Sequence, residues 1–235
     1  MNFALIPARG GSRSIKKKNI VKFGSHPLIY YTIKVAQKTE LIDRIIVSTD
    51  DQKIKDVCLS FGVQVPFMRP KDLAGDHIND FEVVYHLLKW LKKNEGIVPD
   101  NIIYLRPDFP FRNVKVLNRA IEIYMKDKKA DGLRSVQISK EMPFKTWQVK
   151  NGYLNPIVEY NTIKDPHNAA RQLFPQTYWP VGYIEIYDCK LVLREKTLRG
   201  KRIIPYLIEE ETINVGSIKE LEYAKKFLGG YDFYN

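Results

Sequence analysis

Four short apolar runs alternate with four amphipathic stretches through the first half of this 235-residue chain, and that order limits the fold more than any other feature. Phe3-Ala4-Leu5-Ile6-Pro7, the run Asp43 to Asp50 with Ile45, Ile46 and Val47 at its centre, Val63 to Phe67, and Asn101 to Leu105 have the length and apolarity of buried strands. The helix candidates fall between and after them. Pro27 to Glu40 carries Ile29, Ile33 and Ala36 at helical spacing, and Asp51 to Phe61 stops at Gly62. A helix capped by Asn79 or Asp80 puts Val83, Val84, Leu87, Leu88 and Leu91 on one face, and Asn113 to Lys128 follows the fourth strand. Strands that are apolar on both faces must be covered on both sides, and the strand-to-helix order makes them run parallel. The expectation is a three-layer α/β fold with a mainly parallel sheet, whose ligands sit beyond the carboxyl ends of the strands.

After about residue 130 the pattern turns β-rich, with Leu133 to Ile138, Thr146 to Val149 and Gly182 to Tyr187 as strand candidates. Between them runs an irregular stretch from Pro156 to Pro180, long enough to be functional or to be exchanged between subunits. No repeat or linker divides the chain, so residues 1–235 read as one domain with a small lobe at roughly 139–180. Cys58 and Cys189 lie far apart in apolar surroundings, which suits a reduced protein better than a disulfide framework. No stretch reaches eighteen consecutive apolar residues, so a soluble, cytoplasmic protein with no membrane partner is expected.

The polar clusters fall at the expected strand ends. The first strand opens into Ala8-Arg9-Gly10-Gly11-Ser12-Arg13-Ser14-Ile15 and then Lys16-Lys17-Lys18-Asn19. Two adjacent glycines between arginines let backbone N–H groups turn toward an anion, so the stretch reads as a phosphate-gripping loop, the alternative being a glycine turn with a solvated basic face. It is neither a Walker loop nor a three-glycine dinucleotide fingerprint. The other strand ends carry Ser48-Thr49-Asp50-Asp51, Arg69-Pro70, and Arg106 through Arg112. A net charge of +11 also fits a nucleic-acid surface, yet the cations are scattered along helix faces without interleaved aromatics. A pocket for one highly charged small anion is the better reading, with no nucleic acid.

These motifs carry a resemblance. Ile6 to Ser12 through Lys18-Asn19, Pro27-Leu28-Ile29, Val47 to Asp51, Arg69-Pro70 with Leu73-Ala74, Pro107 to Arg112, and Arg171-Gln172 with Pro175 and Gly182 resemble the acylneuraminate cytidylyltransferases over nearly the whole chain. The resemblance implies a Rossmann-like nucleotidyltransferase fold with a small β-rich dimerisation lobe. It also implies that CTP activates a sialic-acid-like nine-carbon 2-keto sugar acid, with Mg²⁺ as cofactor and a homodimer as the working form. By the same resemblance, Arg9 and Lys18 face the triphosphate and are the catalytic cations. Ala8, Gly10, Gly11 and Ser12 cradle the nucleotide, Asn19 holds its ribose or α-phosphate, and Arg69 with Ala74 reads cytosine. Arg106 stands where the family has Gln, and with Lys145, Arg171 and Gln172 it is placed on the sugar side; the Lys145-type residue comes from the partner subunit.

The chain also departs from the family. The C-terminal Asp-Ile-Asp, whose carboxylates hold metal, aligns with Asn214-Val215-Gly216, and Asp108-Phe109 replaces Thr-Ser. A re-sited metal held by Asp108 and Asn214 would compensate for the loss. The alternatives are that Asp108 caps the next helix or pairs with Arg112, and that Asp50 only caps the helix after its strand. At the level of function, the alternatives are a catalytically impaired nucleotide-binding partner subunit or a nucleotidyltransferase for a different acceptor.

Overall fold

The computed structural model describes residues 1–209 and 212–229. In chain order the elements are β1 (Asn2–Pro7), β2 (Lys22–Phe23), β3 (His26–Pro27), α1 (Leu28–Lys38), β4 (Arg44–Ser48), α2 (Gln52–Ser60), α3 (Asp80–Asn94), β5 (Asn101–Tyr104) and α4 (Val114–Lys126). The second half adds β6 (Gly132–Ile138), β7 (Trp147–Lys150), β8 (Tyr153–Pro156), β9 (Tyr178–Asp188), α5 (Cys189–Glu195), β10 (Ile203–Leu207) and α6 (Ile218–Lys225). Six strands form one sheet in the order β10-β6-β9-β5-β1-β4. β1 pairs in parallel with both β4 and β5, and β10 pairs in parallel with β6. β9 runs antiparallel to both of its neighbours and makes the sheet mixed.

The side-chain alternation of β1 shows why three layers form. Ala4 and Ile6 pack with α1, α2 and α4 through Ile29, Ile33, Ile54, Leu117 and Ile121. Phe3 and Leu5 pack on the other face with α3 and α5, through Val84, Leu87, Leu88, Leu91 and Val192. The helix starts follow local chemistry, since Asp51, Asn79 and Asn113 each accept backbone N–H bonds in the first turn. Both cysteines are buried and free. Among the described residues no helix is long and apolar enough to cross a membrane.

Three local expectations change. Among the described residues the run Val63 to Phe67 makes one isolated parallel bridge, Ile46 to Gln64, with a second from Met68 just past it to Thr49, because Pro66 lacks the N–H that a continuous ladder needs. The helix after β4 is capped by Asp51, and Asp50 is free to reach elsewhere. The second half is less purely β than its sequence pattern suggests, since α5 and α6 flank β10. β7 and β8 form a separate two-stranded antiparallel sheet, and Val149, Tyr153 and Leu154 on it, with Trp179 on β9, are exposed.

Candidate active site

A cleft of about 280 Å³ opens at the carboxyl ends of β1 and β5. Arg9, Gly11, Ser12, Lys18, Asn19, Arg69, Arg106 and Asp108 line it, together with Asp76, Asp80 and Tyr104. The first loop is shaped from beneath. The buried Ala8 donates its N–H to the Ser48 carbonyl at 2.9 Å, and the Gly10 N–H donates to the Asp50 carboxylate at 2.8 Å. Any Cβ on Gly10 would lie 2.7 Å from that of Asp51, so only glycine fits there. The buried Asn19 amide donates to the Arg9 carbonyl at 2.9 Å and closes the loop on itself. Ala8, Gly10 and Asn19 therefore build the loop, while Gly11 and Ser12 present it to the cleft.

Arg9, Arg13, Lys17 and Lys18 of the loop each already hold a carboxylate. Arg9 donates to the Gly75 carbonyl at 2.9 Å and pairs with Asp76 at 2.8 Å, and the same Asp76 accepts from Arg13 at 2.5 Å. The hydrogen bond from Arg13, with the charge of Arg9 added and burial opposing, holds the Asp76 carboxyl below its usual range. Lys18 donates to Asp108 at 2.7 Å. Asp108 thus neither caps the next helix, which Asn113 caps, nor pairs with Arg112.

The opposite wall is a network of fixed charges. Arg69 is buried, donating through Nε to the Ser48 hydroxyl at 3.0 Å and through Nη2 to the Ser48 carbonyl at 2.5 Å. Burial pushes its pKa down. Arg106 forks onto Asp80 at 3.2 and 2.6 Å and reaches Glu185 at 3.4 Å, and the Tyr104 hydroxyl donates to Asp80 at 2.6 Å. Burial alone would raise the Asp80 carboxyl, but the Arg106 and Tyr104 contacts outweigh it and hold the group low and ionised. Gly182 makes room for this arrangement, because a Cβ there would sit 2.6 Å from the Arg106 side chain.

Asp76, Asp80, Tyr104 and Glu185 were not singled out as site residues from sequence. The run Gly75-Asp76-His77-Ile78-Asn79-Asp80 carried one usable signal, two carboxylates in the loop between a strand end and a helix start.

Several expected site residues lie outside the cleft lining. Ala74 donates its N–H to Lys71 in a 3₁₀ turn. Lys145, Arg171 and Gln172 lie in the stretch between β6 and β9. There the Lys145 ammonium stands 6.0 Å over the Phe174 ring, Arg171 donates to the Ser139 carbonyl at 2.8 Å, and Gln172 is exposed. Asn214 is exposed, while its neighbour Val215 donates its N–H to the Asp108 carbonyl at 2.8 Å and so brings the C-terminal segment against the Asp108 loop. Among the described residues no three His, Cys, Asp or Glu side chains gather as a metal cluster. Of the three carboxylates that line the cleft, Asp76 and Asp80 are each held by arginine, and the partly exposed Asp108, paired with Lys18, would join phosphate oxygens and water in a donor set that Mg²⁺ accepts.

Residues 3–212 match the family model described as Cytidylyltransferase. The chain belongs to the cytidylyltransferase family. This cytidylyltransferase is 35% identical over 221 residues to the CMP-N,N'-diacetyllegionaminic acid synthase of Legionella pneumophila, covering 94% of this chain and 92% of that protein. It is 27% identical over 226 residues to the pseudaminic acid cytidylyltransferase of Campylobacter jejuni, covering 95% and 94%. Its fold matches the structure of CMP:2-keto-3-deoxy-manno-octonic acid synthetase complexed with CTP, at a TM-score of 0.70 and 16% identity, over 97% of this chain and 98% of that one.

Proposed function

We propose that the cleft binds CTP and a sialic-acid-like nonulosonate and joins them into the CMP-sugar, releasing pyrophosphate. The anomeric hydroxyl of the 2-keto sugar acid attacks the α-phosphorus. A new P–O bond forms, the bond to the β-phosphate oxygen breaks, and the hydroxyl proton leaves to solvent. Such a transfer needs positioning and cations more than covalent help. Arg9 and Lys18 face the phosphates as catalytic cations, exchanging Asp76 and Asp108 for phosphate oxygens. Gly11 and Ser12 cradle the chain of phosphates, and Arg69, with the Ala74 turn beside it, faces the base.

Asp108 is the carboxylate that would hold Mg²⁺, with Asn214 on the adjoining segment as its helper. When bound, the ion spreads the negative charge of the triphosphate. Lys145, Arg171 and Gln172 serve the acceptor from the lobe. The exposed apolar side chains there, with Tyr153 77% and Val149 73% accessible, favour a homodimer in which a second copy's lobe completes each cleft. Consumption of CTP and two reduced, buried thiols fit a cytoplasmic protein.

The observation that carries this reading is the convergence of Arg9, Lys18, Arg69 and Asp108 on one cleft in a chain of this family. Its test is pyrophosphate release over a panel of nucleoside triphosphates and 2-keto sugar acids with Mg²⁺ present. A rate with CTP and a nonulosonate well above that of every other pair is expected. Release with no pair, or preference for another nucleotide, overturns it.

A further inference from the structure

The wall opposite the phosphate loop has a chemistry of its own. Arg106 meets two carboxylates, Asp80 and Glu185, and Glu185 also lies 4.0 Å from Arg134, so two cations and two anions cancel. A guanidinium so neutralised is a poor grip for a phosphate or a sugar carboxylate. Yet the hydrogen bonds leave capacity on both partners. Asp80 Oδ2 accepts only from Arg106 Nη2 among the described residues, although a carboxylate oxygen can accept twice. Of the five N–H donors of Arg106, three are engaged among the described residues, at Nη1 and twice at Nη2.

An acceptor beside donors, fixed and electrically neutral, matches a hydroxyl, which donates and accepts at once. Fixation is thorough. Tyr104 is 1% exposed and holds Asp80 from below, and the buried Glu185 is held by the Tyr187 hydroxyl. Asp80 and Arg106 nevertheless both line the cleft, with about a third of each side chain accessible.

We propose that Asp80 and Arg106 form a hydroxyl-reading pair that takes a vicinal diol, with Tyr104 and Glu185 as its positioning residues. The diol belongs either to the ribose of the nucleotide or to the polyol of the acceptor. The inference rests on the reading of the cleft as a CTP and sugar site, and it replaces the idea that Arg106 acts as a free cation toward the sugar.

The test compares wild type with Asp80→Asn and Tyr104→Phe, measuring calorimetric affinity for CTP and 2′,3′-dideoxy-CTP, the acceptor KM, and the melting temperature. If the ribose is read, wild type prefers CTP by about tenfold or more, and Asp80→Asn brings the ratio near one, as expected for losing a charged hydrogen bond. If the acceptor is read, that ratio survives while Asp80→Asn raises the acceptor KM by about tenfold or more. Tyr104→Phe shifts the same quantity in the same direction by less. The proposal fails if Asp80→Asn changes neither quantity, or weakens both nucleotides equally in step with a fall in melting temperature. Should Asp80→Asn unfold, an unchanged ratio and KM in Tyr104→Phe overturns it. Wild type that binds no CTP refutes the reading of the whole cleft instead.

Discussion

Replacing Arg112 by leucine should cost the fold a large fraction of its stability, and the structure sets the size. The guanidinium is fully buried and uses all five of its N–H donors. Nε donates to the Tyr183 carbonyl at 2.6 Å, Nη1 to the Thr32 hydroxyl at 2.9 Å and the Phe109 carbonyl at 2.7 Å, and Nη2 to the Arg106 carbonyl at 2.7 Å and the Gly182 carbonyl at 3.0 Å. No carboxylate is among its acceptors. Burial pushes its pKa down to about 10, so it remains charged at neutral pH.

Leucine would remove the Arg112 donor from five acceptors, of which the Arg106 carbonyl keeps the Phe109 N–H at 3.5 Å; at about 1–3 kcal/mol for each acceptor left bare, up to four bare acceptors make a gross loss of up to roughly 4–12 kcal/mol. Removing a buried charge returns several kcal/mol of desolvation, so the net loss is smaller than the gross one, on the order of a few kcal/mol. That is a large share of the roughly 5–15 kcal/mol that holds a domain together. Lysine keeps the buried charge but has three donors, so it reaches at most three of the five acceptors and should not rescue. Urea unfolding of wild type, Arg112→Leu and Arg112→Lys measures all three. A loss below about 1 kcal/mol for leucine, or full recovery with lysine, would refute the claim that the five-way geometry is what stabilises the loop.

Three further outcomes follow from the same geometry. Arg9→Ala and Lys18→Ala should each lower turnover about a hundredfold, the usual worth of one preorganised transition-state contact, with little change in melting temperature; near-wild-type rates would remove the phosphate role of the loop. Asp76→Asn takes a competing carboxylate off Arg9 and Arg13, so affinity for CTP measured by calorimetry should tighten by about a few-fold at low salt, and weaker binding would show that Asp76 helps rather than competes. The Asp80 carboxyl is held below its unfolded value, so its contribution is present above about pH 4 and is lost as pH falls through the lower folded value. The acid limb of the stability curve should therefore be shallower in Asp80→Asn, and an identical limb would contradict the sign.

The alternation of Phe3 to Pro7, Ile45 to Val47 and Ile102 to Tyr104 with amphipathic helices was enough to set the three layers and the strand end at which the cleft opens, because those preferences are local and periodic. The glycine-arginine loop and the cap at Asn79, with Asp80 as its alternative, were legible for the same reason, whereas Asn113 reads from sequence only as a helix start and its capping role came from the structure. Local chemistry could not say that β9 enters the sheet antiparallel between β5 and β6, since a strand's direction depends on what it pairs with. Nor could it assign the partners of the cations. Arg9 and Arg13 meet Asp76, Lys18 meets Asp108 from 90 residues away, and Arg106 meets Asp80 and Glu185. Arg112 looked like any charged residue beside a helix start until the fold closed five acceptors around it. Residue type set which charges this cleft would contain. Only the tertiary structure decided which are spent on each other and which line the cleft, because burial and pairing are properties of distance in space, and the chain order does not carry them.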